Sequence, residues 1–148
     1  MRYMLDSDIC VYIIKQRPES VLSKLRENMA DGIAISAVTL AELECGVQKS
    51  ASPEKNTLAL NQVLSILSIL PFDDMAAYEY GKVRADLERK GTPIGPLDTQ
   101  IASHAKVLGM TIVTNNVREF GRVEGLAIEN WADLADQQEN TKDSISGD

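Results

Sequence analysis

Tyr3-Met4-Leu5-Asp6-Ser7-Asp8 is the stretch from which the rest of the chain can be read. Three apolar residues make a short buried strand. The carboxylate after them stands where a parallel sheet delivers side chains into a crevice at its carboxyl edge. The design recurs: Ile33 to Ile35 runs into Ser36, Ile69 to Phe72 into Asp73, and Met110 to Val113 into Thr114-Asn115-Asn116. These predict four short buried strands, with Ala127 to Glu129 as a fifth, at an edge. Helical spacing fills the intervals. Ala76, Tyr80, Val83 and Leu87 fall on one face, with Glu79, Lys82, Asp86 and Arg89 elsewhere, and Gly91 and Gly109 stand where helices end. Strands alternating with helices predict an α/β fold, a central parallel sheet of four to five strands flanked by helices and joined by right-handed crossovers.

Composition narrows the chemistry. The chain has 148 residues and is 44% hydrophobic, enough for one core. Residues 1–132 read as one domain. Segment 133–148 has almost nothing apolar to bury and reads as a disordered acidic tail. No apolar run is long enough to span a bilayer, and the first carboxylate arrives too early for a signal peptide, so a cytoplasmic location is expected. Cys10 and Cys45 form no CxxC pair and are read as reduced, buried, small apolar residues. A single histidine, His104, removes zinc sites built on His and Cys and most histidine-base schemes. The net charge of −7 runs against a nucleic-acid partner. More than half of it, however, sits in 133–148, where Asp133, Asp136, Glu139, Asp143 and Asp148 face only Lys142.

Carboxylates remain. Asp6 either points into the crevice or merely caps the helix that starts near Ser7. Glu42 lies about two turns into a helix opening at Ser36, too deep to complete a capping box with Thr39; Glu44 turns to nearly the opposite face and reads as a solvated acid. Asp98, in Gly95-Pro96-Leu97-Asp98, falls in the first turn of a helix, whose N-terminus favours the ionised form. The plain alternative for Asp98 is a dipole-stabilising acid. His104, about 240° around that helix from Asp98, is expected to point away, at the surface or half-buried. Were the three acids to meet, their repulsion would call for a cation. Hard oxygen donors select Mg²⁺ or Mn²⁺, whose chemistry suits phosphodiester hydrolysis.

The order Leu5-Asp6-Ser7-Asp8, Ser36 through Leu43, Gly95-Pro96-Leu97-Asp98 with Ile101-Ala102, and Val113-Thr114-Asn115-Asn116 resembles the VapC toxins, PIN-domain ribonucleases of toxin–antitoxin pairs, from Met1 to about Trp131. Arg118-Glu119-Phe120, Arg122-Val123 and Glu129-Asn130-Trp131 resemble the enteric branch. The resemblance implies a three-layer fold, an acidic pocket holding Mg²⁺ or Mn²⁺, and RNA cleavage that leaves a 5′-phosphate. It matches Asp6, Glu42 and Asp98 to the catalytic acids, with Asp6 and Asp98 as metal ligands. The fourth position, often Asp in the family, is Asn116, which Glu119 partly compensates. Asp8 stands where Asn is common, and Thr114 belongs to the same motif. The enteric branch implies initiator tRNA, cut in the anticodon stem-loop. Lys82, Arg84, Arg89 and Lys90 are candidates for gripping phosphates, the alternative being a solvated basic face. A homodimer and a VapB-type antitoxin, with a higher oligomer between them, are implied as well.

Two rivals use the same residues. Asp6-Ser7-Asp8 imitates the start of a haloacid-dehalogenase-type phosphatase, with Asp6 as nucleophile, but no acidic pair comes after Val113. A receiver-type signalling domain would take Asp73 as phosphoacceptor, yet Glu129-Asn130-Trp131 offers no lysine.

Overall fold

The structure, a computed structural model, describes residues 1–132. The tail expected at 133–148 lies outside the described residues. Five strands, β1 (Tyr3–Leu5), β2 (Ile33–Ser36), β3 (Ser68–Leu70), β4 (Thr111–Val113) and β5 (Ile128–Glu129), form one sheet in the order β3-β2-β1-β4-β5. Every neighbouring pair is parallel, β1 matching Tyr3 to Ile33 on one side and to Thr111 on the other. The helices are α1 (Ser7–Lys15), α2 (Glu19–Asn28), α3 (Ala37–Lys49), α4 (Pro53–Leu64), α5 (Asp74–Arg89), α6 (Pro96–Val107) and α7 (Val117–Phe120).

The period of two in a strand divides the core in two. Tyr3, Leu5, Ile33, Ile35 and Val113 enter one apolar cluster with Ile9, Val21, Leu43 and Trp131. Met4, Ala34 and Ile112 enter the other, with Val83, Leu87, Ile101 and Phe120. Helices cover both faces, so the central strand β1 is buried along its whole length, as its unbroken apolar run requires. Among the described residues no helix is long and apolar enough to cross a membrane.

Helix ends obey their residues. Ser36 accepts a hydrogen bond from the Val38 amide at 3.1 Å and opens α3, which leaves Glu42 well inside the helix and free of a capping box with Thr39. Gly91 and Gly109, at φ +70° and +67°, take the left-handed conformation just past α5 and α6 that a side chain would oppose.

Three expectations are corrected. The third strand begins at Ser68 and stops at Leu70; as an edge strand it is only partly buried, and Phe72 leaves it to pack edge-on against His104. His104 itself is 2% exposed, and its Nδ1 lies 2.9 Å from the Ser36 hydroxyl. The reason is that α6 packs against β4 on one side, α5 on another and α3 as well, so the face turned away from Asp98 is interior too. Glu79, placed outside the apolar face of α5, is buried at that same seam between α5 and α6, with Lys82 and Lys106 each 3.5 Å away to offset its charge.

Candidate active site

The strand order reverses between β1 and β4, the switch point at which a parallel sheet opens a crevice. Asp6 ends β1 and Thr114 comes directly after β4, and the Thr114 hydroxyl donates to Asp6 Oδ2 at 2.8 Å. Asp6 Oδ1 accepts from the Ser7 amide at 2.8 Å. The two readings of Asp6 therefore hold together: it caps α1 and faces the crevice. Burial pushes its carboxyl above the usual range, which the Thr114 and Ser7 hydrogen bonds partly oppose.

Asp98 meets Asp6 from the first turn of α6. Its carboxyl is pushed up to about 7, first by burial, then by the charges of Asp6, Glu119 and Glu42, and by a hydrogen bond with Glu119. Glu42, from mid-α3, is raised by burial and by Asp6. Four carboxylates contributed by four elements thus share one electrostatic neighbourhood. No cation is needed to detect the strain, because each raised value says that the ionised form is disfavoured where it stands. Glu42 Oε1 is buried and, among the described residues, has no hydrogen-bond partner, which leaves a carboxylate oxygen free to accept or to ligate. Among the described residues no three His, Cys, Asp or Glu side chains already stand in ligating geometry. The acids instead act on one another through their charges, with Asp98 and Glu119 close enough for a hydrogen bond to add to the rise of Asp98.

Glu119 carries more of this site than its place in the sequence suggests. Asn116 precedes α7, and its side-chain amide donates to Glu119 Oε2 at 3.0 Å while its backbone amide donates to the Thr114 hydroxyl at 3.0 Å. Asn116 reaches the cluster by holding Glu119, and the three-residue spacing between the two across the start of a helix was the available signal. Asp8 is spent differently: Oδ1 accepts from the Ile9 amide at 2.7 Å and Oδ2 from the Asn115 amide at 3.0 Å. It pins the loop after β4 to α1, and burial and the charge of Asp6 push its carboxyl to about 6.

The Thr114 hydroxyl is the knot of this arrangement, donating to one loop end and accepting from the other while fully buried. Thr114→Val keeps the shape and leaves Asp6 Oδ2 and the Asn116 amide short of a partner. A loss of about 1–3 kcal/mol is expected in urea unfolding; an unchanged midpoint would show that the hydroxyl holds nothing.

The basic candidates lie along and just past the end of α5. Lys82 pairs with Glu79, Arg84 with Glu88 at 2.9 Å and the Tyr80 hydroxyl at 2.7 Å, and Lys90 with Asp86 at 2.9 Å and Glu124 at 3.2 Å. Arg89 is exposed and, among the described residues, in no ion pair. A hollow of roughly 710 Å³ runs beside them but is lined by none of Asp6, Glu42, Asp98 and Glu119. Glu42 instead stands between two grooves, of roughly 680 Å³ against Phe72, Leu97 and Val38 and roughly 530 Å³ against Val11, Ile14 and Val47. Charge and the unpartnered Glu42 oxygen single out the acids as the candidate site; the size of a hollow does not. Cys45 lines the first groove and is exposed, against the expectation of burial, because it lies nearly one turn beyond Glu42 on the outer side of α3. Cys10 is buried as expected, and burial raises its thiol pKa. Glu44 is exposed, also as expected.

The rival readings fit less well. Both oxygens of Asp6 are engaged, which disfavours a phosphatase nucleophile. Asp73 caps α5 beyond an edge strand, accepting from the Ala76 amide at 3.0 Å, and a receiver would have strand order 2-1-3-4-5.

Comparison with known proteins agrees. The family model described as PIN domain matches residues 3–126. A Salmonella typhimurium protein named tRNA(fMet)-specific endonuclease VapC is 43% identical over 131 residues, covering 88% of this chain and 98% of its own. Ribonuclease VapC2 of Rickettsia felis is 47% identical over 133 residues, with the same two coverages of 88% and 98%. Among solved structures, VapBC2 of Rickettsia felis bound to a promoter DNA fragment superposes with a TM-score of 0.85 at 45% identity, covering 88% of this chain and 99% of the other.

Proposed function

From the premise that this chain belongs to the PIN domain family, among the VapC proteins, we propose that it is a metal-dependent endoribonuclease with tRNA as substrate and a VapB-type antitoxin as partner. The observation that carries the reading is the meeting of Asp6, Glu42, Asp98 and Glu119 at the switch point of the sheet, each of the first three with its carboxyl raised.

These residues fit a hard divalent cation. All the donors are oxygens, one of them lacks any partner, and their mutual repulsion is the cost that a bound charge of +2 removes. Asp6 and Asp98 would hold Mg²⁺ or Mn²⁺, with Glu42 and Glu119 beside them. When bound, the ion supplies a lowered pKa for the attacking water and stabilisation of the charge that builds on the phosphoryl oxygens.

The chain's own groups do the rest. Thr114 fixes the rotation of Asp6, and Asn116 fixes Glu119 against Asp98. The carboxyls that crowd one another can take the proton of the water whose oxygen attacks phosphorus. The bond from phosphorus to the 3′-oxygen then breaks, and that oxygen takes up a proton from the same carboxyls or from solvent, leaving a 5′-phosphate and a 3′-hydroxyl. Rigid mounting at strand and helix ends keeps the acids in place while this happens.

The tRNA assignment is supported by 43% identity to a relative named for that activity. We place the cut in the anticodon stem-loop of initiator tRNA, where unstacked bases leave the backbone open. The VapBC2 complex supports the antitoxin, and the same reading makes the toxin a homodimer that joins the antitoxin in a larger assembly. The test is to incubate purified protein with total tRNA and Mg²⁺, with and without EDTA, and to map the ends. One cut leaving a 5′-phosphate and abolished by EDTA is expected. Cleavage that persists in EDTA overturns the metal, and the absence of any cut in RNA overturns the function.

A further inference from the structure

Among the described residues two buried side-chain atoms have no hydrogen-bond partner, the Thr39 hydroxyl and Glu42 Oε1. Both belong to α3 and stand three residues apart, so they are neighbours on its surface. Native interiors satisfy nearly every buried polar group, and each exception asks for a cause. Two exceptions within one turn ask for a common one.

Helix α6 shows what a buried hydroxyl ordinarily does. The Thr99 hydroxyl donates to the Gly95 carbonyl at 2.8 Å and the Ser103 hydroxyl to the Thr99 carbonyl at 2.6 Å, each four residues back. Four residues back from Thr39 is Ile35, in β2 and ahead of the residue that caps α3, so the helical geometry for this bond is not yet in place. Thr39 is wholly buried, on the face of α3 that carries Leu43 and Val47 into the core. Side chains on a helix lean toward its N-terminus, which brings the Glu42 carboxylate back over the turn that holds Thr39. Glu42 is only half-buried as a residue, yet its Oε1 is shielded from solvent, so this oxygen is the inward one.

We propose that Thr39 is a positioning residue of the acidic site: its hydroxyl donates to one buried water, which in turn donates to Glu42 Oε1 and fixes the rotation of that carboxylate. The inference rests on the nuclease reading above. Buried waters ordinarily sit between polar groups that the chain leaves unsatisfied, and a bridge through one is nearly as favourable as a direct bond. Thr39 then does for Glu42, at one remove, what Thr114 does directly for Asp6. The spacing of Thr39 and Glu42, which imitates a capping box without forming one, has this use instead. A hydroxyl stranded by packing alone would be replaceable by a methyl group with no effect on the site.

The experiment compares the full-length wild type with Thr39→Val, Thr39→Ala and Thr39→Ser. It reads the Mg²⁺ concentration that gives half the rise in melting temperature at pH 8, and kcat and KM for tRNA cleavage. Valine and alanine, which lack the hydroxyl, are expected to raise that concentration about three- to tenfold and to lower kcat about tenfold, with KM within about twofold. Serine, which keeps the hydroxyl, should stay within about twofold of the wild type on each measure. With Glu42→Ala in place, Thr39→Val should not raise the Mg²⁺ requirement further, because it acts through that carboxylate. A crystal structure of the metal-free wild type should show one water within hydrogen-bonding distance of both oxygens. An unchanged Mg²⁺ requirement and kcat in Thr39→Val and Thr39→Ala overturns this proposal and leaves the nuclease reading standing. So does an effect of full size in the Glu42→Ala background, or a crystal with no water common to the two oxygens. A serine variant that behaves like valine overturns it too, because the methyl group is then the agent. A wild type that neither gains stability from Mg²⁺ nor cuts RNA overturns both readings together.

Discussion

Asp98→Asn is expected to lower RNA cleavage by about 10²–10³-fold and, in the same protein without metal, to raise the melting temperature at pH 8. The two effects have one cause. Burial and the charges of Asp6, Glu119 and Glu42 push the Asp98 carboxyl to about 7, above even Asp8 at about 6. An amide keeps the shape and still donates to Glu119, but brings no charge to repel its neighbours and none to hold a cation. Linkage sets the sign with pH. A carboxyl whose folded pKa lies above its unfolded value stabilises the fold below the unfolded value, near 4, and loses that contribution as pH rises through about 7. The wild-type chain should therefore melt lower at pH 8 than at pH 5.5, and Asp98→Asn should flatten that slope. Thermal melts at the two pH values decide it: equal slopes in both proteins would mean that Asp98 does not feel its neighbours.

Mg²⁺ is expected to reverse this pH dependence. The ion competes with protons for the same oxygens, so it stabilises most where the acids are ionised. At a concentration about a hundred times its dissociation constant, a ligand of the folded state contributes about 2.7 kcal/mol, which for a domain of this size is about 5–10 °C in melting temperature. That gain should appear at pH 8, shrink sharply at pH 5.5 and be lost in Asp98→Asn. A shift of equal size at both pH values, or one that survives the substitution, would place the ion elsewhere on the molecule.

How far the sequence alone reveals the fold and the site differs by residue. The strands β1, β2 and β4 are legible because a central parallel strand is buried on both faces and shows as a bare apolar run. The third is misplaced because an edge strand alternates and exposes Ile69. Asp6 and Asp98 are legible from their places at element ends. Glu42, in the middle of a helix, has no local signal, and only the resemblance assigns it a catalytic role. Glu119 is underrated since α7 is a four-residue helix with no periodicity to read. His104 and Glu79 are misplaced for a common reason. Periodicity along one helix identifies one buried face, whereas the α5–α6 seam and the sheet bury α6 on several faces.

The knot between Thr114 and Asp6 joins residues 108 apart in the chain. Pairings so distant form late and slowly, because the intervening segment has to be closed first. During synthesis, a ribosome-bound polypeptide that already displays Asp6 and Glu42 is still without Asp98, Thr114 and Glu119. On the nuclease reading, the growing product therefore lacks two of its four acids until its final strands have docked, and is expected to leave the RNA around it uncut.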